Sequence, residues 1–155
     1  MSIFVSTTSA PRPKTKNIRS VSILLTGVFT IVAVSQLFSF EDFPARLAGI
    51  GIVSMCAPIL ATFIVVTEVL ALPFVLGMPL SFAFRILSMV CGWLAAAMLL
   101  TVAVVENIVA PSGEDAVFGA VLPLPVGLWS ICAAFAFCVL VAWVSWGMWP
   151  LKAKE

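Results

Sequence analysis

The chain has 155 residues, 63% of them hydrophobic and 10% charged, with a formal net charge of +1. Soluble proteins carry roughly 25% charged residues, so a water-soluble globule is excluded, and nucleic-acid binding has no support. The sequence has no His, no cluster of Asp and Glu and no closely spaced Cys pair, so it lacks the usual ligand sets for zinc and for a histidine-bound haem.

In chain order, residues 1–20 hold Arg12, Lys14, Lys16 and Arg19 with no anion, and Pro11 and Pro13 oppose regular helix. A disordered basic tail is expected there. Residues 21–40 are apolar apart from small hydroxyls and Gln36, which makes them span one. Ala33-Val34-Ser35 fits a small-x-small signal cleavage pattern. The long tail before it, and Leu37, Phe38 and Phe40 after it, favour a retained membrane helix.

Residues 47–78 carry one charge, Glu68, and as a single straight helix they would overrun the roughly 30 Å hydrocarbon layer. Pro58 is the natural break, because it lacks an N–H and is tolerated in a helix's first turn. Span two is then about 58–77. The stretch 43–57 is too short to cross. Phe43, Leu47, Ile50 and Met55 form an apolar stripe suited to an interfacial or re-entrant helix.

Gly77 and Pro79 make a turn, and span three follows at about 82–105 with Arg85 near its start. Residues 106–121 contain Pro111, Gly113, Glu114, Asp115 and Gly119, a turn-rich acidic loop. Span four covers about 123–146, and Pro150, Lys152 and Lys154 close a short tail, 150–155. The expected fold is an all-α membrane bundle of four transmembrane helices, with a short helix between spans one and two.

With four crossings, seven of the eight Lys and Arg fall on one face and Arg46 alone on the other. Positive charge favours the cytoplasmic face, so both termini are expected in the cytoplasm of a multi-pass inner-membrane protein. Glu41, Asp42, Glu106, Glu114 and Asp115 then face outside, most simply as solvated loop ends. Trp143, Trp146 and Trp149 have the position of interfacial anchors.

Glu68 is the principal candidate site residue. Near the bilayer midplane an ionised carboxyl costs at least about 2.5 to 3.5 kcal/mol, so it should face the bundle, find a partner or take up a proton. It serves either as a proton-exchanging or ligand-contacting group, or as a neutral acid bonded to a neighbouring helix. Secondary candidates are Gln36 and Arg85, each roughly 10 Å or more from Glu68 along the axis by helical rise. Arg85 has a plainer role available in reaching the headgroups. Among the thiols, Cys91 and Cys138 lie at similar depth and form a candidate pair, against the ordinary role of buried Cys as a small hydrophobe.

Pro58 followed by Glu68, then Leu76-Gly77-Met78, and Arg85 before an apolar helix, resembles the DoxX and MauE group of small four-helix membrane proteins. The similar region covers about residues 43–100. The resemblance implies a redox-associated membrane component. Some relatives are subunits of a thiosulfate:quinone oxidoreductase, and others assist maturation of periplasmic dehydrogenases through disulfide chemistry. The closely spaced cysteines of the maturation branch are missing here, and Glu68 is the functional candidate that carries over.

The leading expectation is a subunit or accessory of a larger redox or envelope complex, partnered by lipid and other membrane or periplasmic proteins. The alternative is a small proton-coupled transporter of lipophilic or cationic substrates. No cofactor is evident in the residues, and independent catalysis is not expected. Quinone chemistry would have to come through a partner.

Overall fold

In the computed structural model the described residues are 15–109 and 127–149, and they form five helices and no strand. These are α1 (Lys16–Phe38), α2 (Phe43–Gly49), α3 (Ala57–Val75), α4 (Phe82–Val109) and α5 (Leu128–Gly147). All but α2 are long and apolar enough to cross a membrane, and they are compatible with an integral membrane protein. The expected disordered part of the tail at 1–14, the acidic loop within 110–126 and the closing segment 150–155 lie outside the described residues.

The helix starts follow local chemistry. α1 begins at Lys16 rather than at residue 21, so Lys16 and Arg19 belong to a helix and not to an irregular tail. Thr15 causes this: its backbone is extended, and its hydroxyl accepts the Ile18 N–H, the pattern of an N-cap. α3 starts where the proline break was expected, with Pro58 in its first turn. α2 ends at Gly49, short of the expected stripe. Phe43, Leu47 and Ile50 are buried, whereas Met55 stands outside in the turns leading to α3.

The four long helices form an antiparallel ring in which α1 packs on α3, α3 on α4, α4 on α5, and α5 back on α1. The short α2 lies against α3. Phe29 and Phe137 meet edge to face with centroids 4.6 Å apart and join α1 to α5. Small residues bring backbones close. A Cβ at Gly147 would fall 2.6 Å from Ile18 Cδ1, so only glycine leaves room for that side chain. Around the outside, Ile31, Phe38, Ile59 and Phe135 are exposed, as expected where the surrounding solvent is hydrocarbon.

At the far end of α3 the chain solves a problem of its own making. Pro73 lies inside the helix, where it removes one ladder hydrogen bond and crowds the carbonyl four residues back. Ser88 of α4 inserts its hydroxyl one residue further on, at the rung next to the proline. Its Oγ accepts the Phe74 N–H at 3.0 Å and donates to the Leu70 carbonyl at 2.5 Å. It therefore occupies the rung that Phe74 and Leu70 close in a straight helix.

The last turn is completed by three further contacts. Ser22 of α1 donates to the Val75 carbonyl. Gly77 takes φ +68°, its N–H bonding Phe74 O at 3.0 Å while the Met78 N–H bonds Pro73 O at 3.1 Å. That double bond around a left-handed glycine is a Schellman cap.

Two substitutions test this arrangement in detergent unfolding. Ser88→Ala should cost about 1–3 kcal/mol, because it strands buried backbone groups. In a Pro73→Ala background, where α3 can close its own rung, the same change should cost clearly less. Equal costs in both backgrounds contradict the inserted-hydroxyl account. Separately, Gly147→Ala should cost about 1–3 kcal/mol by forcing α1 from α5, an overpacking penalty that the midpoint shift reads directly.

Candidate functional site

Glu68 sits near the middle of α3 and is fully enclosed, at 0% exposure. Gln36 of α1 is enclosed to the same degree, and its Nε2 donates to Glu68 Oε1 at 3.4 Å. Helical rise alone had set these two residues roughly 10 Å or more apart along the axis. Backbone positions agree with that figure. From the level of the Ser22–Val75 contact, Gln36 lies about 21 Å along α1 and Glu68 about 10 Å along α3. The side chains close the gap, because each Cα–Cβ bond tilts toward its own helix N-terminus. On antiparallel helices the two long side chains therefore reach toward one another. Gln36, a secondary candidate by sequence, is thus in contact with Glu68 despite the axial separation of the two backbones.

At 3.4 Å the contact is long for an N–H···O bond, so it restrains the carboxyl without gripping it. The other oxygen, Oε2, is buried and has no hydrogen-bond partner among the described residues. Thr67, the adjacent hydroxyl, is directed elsewhere and donates to Phe63 O and Ile64 O of its own helix. One oxygen is thus held by an amide and the other is available to a proton or to a donor from a ligand.

Arg85 does not join this site. It lies one turn before Ser88, whose contacts with Leu70 and Phe74 set it at the Gly77 end of α3, about 10 Å from the Glu68 level. Its side chain is 7% exposed, folded into the bundle rather than extended toward headgroups. The expected headgroup-reaching role is replaced by a buried one.

The thiols are all free: Cys56 and Cys132 are exposed, Cys138 is partly buried and Cys91 is buried. Cys138 Sγ donates to Ala96 O at 3.4 Å, which sets it about 7 Å along α4 from Cys91. Counting from helix ends had put both thiols at one depth, but α4 and α5 are offset along their axes, and the pair is not brought together.

Glu106 was expected in the outer acidic loop. It is instead inside α4, which continues to Val109, and only 3% exposed. The signal was present in the spacing: Ala95, Leu99, Val102, Ala103 and Glu106 repeat at helical intervals and all face inward. The charge at 106 concealed that continuity. Next to it Asn107 Nδ2 donates to Ser130 Oγ at 3.1 Å, joining α4 to the start of α5. Ser22 and Ser88 were also missed as structural groups, although depth counting puts Ser88 opposite Pro73 across the Gly77 turn.

No group of three or more His, Cys, Asp or Glu able to hold a metal occurs among the described residues. Comparison of the chain with family models, curated proteins and solved structures returns no match.

Two outcomes follow from this geometry. Gln36→Leu, Glu68→Gln and the double variant should show a coupling of about 0.6 to 1.7 kcal/mol in unfolding, the range of hydrogen bonds between membrane helices; strict additivity removes the contact. Oxidative cross-linking of the unaltered protein in membranes should leave Cys91 and Cys138 unjoined. An intramolecular disulfide between them on peptide mapping contradicts the offset of α4 and α5.

Proposed function

We propose that this chain is a DoxX-like inner-membrane component, working as a subunit or accessory of a redox or envelope complex, with both termini in the cytoplasm. The observation that carries this reading is the enclosure of Glu68: the carboxyl has no exposed surface, and its hydrogen-bonded contact is Gln36 on a neighbouring helix. A buried acid joined across two helices fixes their register, which suits a scaffold that presents its outer surface to other subunits. The positive-inside bias supports the orientation. The Pro58, Glu68, Leu76-Gly77-Met78 and Arg85 pattern supports the family. Any quinone chemistry belongs to a partner in this reading.

A second reading is a proton-coupled transporter of lipophilic or cationic substrates. It is favoured by Glu68 Oε2, which is buried without a hydrogen-bond partner among the described residues and so has capacity for a proton or a ligand donor.

The two readings separate in one pair of measurements. Purification in mild detergent should recover the chain with a stoichiometric membrane or periplasmic partner, and Glu68→Gln should weaken that recovery only modestly. Liposomes holding the chain alone should show no pH-driven substrate uptake. Uptake that Glu68→Gln abolishes, with no partner recovered, overturns the subunit reading in favour of transport.

A further inference from the structure

Between α3, α4 and the stretch after α2 lies an apolar cavity of about 230 Å³. Ile50 and Ile52 roof it, Leu60 and Ile64 form the α3 wall, and Met98 and Val105 mark its two ends along α4. Thr101 also borders it, but its hydroxyl is engaged by the Ala97 carbonyl at 2.8 Å. Water entering this space would therefore find almost nothing to bond, and a buried water needs two to four polar partners. The volume exceeds the roughly 150 Å³ of an apolar protein cavity that takes up benzene.

We propose that this cavity binds one acyl chain of a membrane phospholipid from the leaflet on the α2 side. Shape supports that occupant. From Met98 to Val105 α4 rises about 10 Å, so the cavity is elongated along the helix axes, the direction in which lipid chains run. Its surroundings agree: Ile59 and Phe63, beside the α3 wall, are exposed on the surface that faces hydrocarbon. A partner helix is excluded by size, since with its side chains it is about 10–12 Å across. Leaving the space empty would forfeit the contacts of its branched side chains. Ile50 and Ile52, from the stretch after α2, add a third wall to the two helices, which distinguishes this position from the open lipid-facing surface at Ile59. The inference rests on the chain being embedded in a bilayer and is independent of the role of Glu68.

Native mass spectrometry of the full chain after a stringent detergent wash tests it. The unaltered protein should retain one phospholipid per chain. Val105→Trp, which fills the cavity, should lower that retention at least fivefold, and Ile59→Trp, on the open lipid-facing surface, should not change it. Absence of retained phospholipid from the unaltered protein, or equal retention in both variants, overturns the proposal. A second measurement does not depend on a variant folding. A phospholipid with a diazirine near the middle of its acyl chain, photolysed in membranes with the unaltered protein, should label Met98 and Val105 several-fold more than Ile59. Labelling of the three at similar levels, or strongest at Ile59, overturns it.

Discussion

Everything in this structure depends on the lack of a polar solvent along the four long helices. In hydrocarbon an unsatisfied backbone group costs several kcal/mol, and nothing outside the protein can supply the missing partner. Beside the proline inside α3, Ser88 of α4 bonds both Leu70 O and Phe74 N, and at the helix end Ser22, Gly77 and Met78 bond its last carbonyls. The same constraint governs Glu68, which turns inward to Gln36 rather than outward to lipid. Polar side chains are few in this bundle, and several of the buried ones, Ser22, Gln36, Glu68 and Ser88 among them, cross-link its helices.

These cross-links explain the arrangement of the helices better than apolar packing does. Leu, Val and Ile facing another helix gain little over the same residues facing lipid tails, so association relies on close packing and on hydrogen bonds between helices. Ser22 and Gln36 join α1 to α3, Ser88 joins α3 to α4, and Cys138 and Asn107 join α4 to α5. Gly147 against Ile18 and the Phe29–Phe137 pair close the ring between α1 and α5. The bundle thus has a directional contact at nearly every seam.

The spans were legible because length and hydropathy act directly on bilayer thickness; Pro58 and Gly77 marked boundaries for reasons of backbone chemistry alone. Charged residues were read less well. Glu106 and Arg85 were assigned to the surface since a charge near a helix end ordinarily reaches water, yet both are enclosed. Gln36 is a secondary candidate by sequence, and backbone distance along the axis alone does not show its contact with Glu68, which depends on side-chain direction. The cysteines were matched by distance from helix ends, a measure that fails wherever two helices are offset. The cysteine offset and the Gln36 contact depend on how helices sit against one another, through contacts between segments far apart in the chain, whereas the burial of Glu106 follows a local helical spacing that its charge conceals.

The central claim is that a carboxyl inside the bundle is held by an amide from another helix. A nitrogen–carbon dipolar correlation in lipid bilayers, between the Gln36 side-chain nitrogen and the Glu68 carboxyl carbon, measures that contact with both residues unaltered. The account predicts a cross-peak between the two. A Glu68 carboxyl carbon that correlates with water protons, and shows no cross-peak to the Gln36 nitrogen, would contradict it.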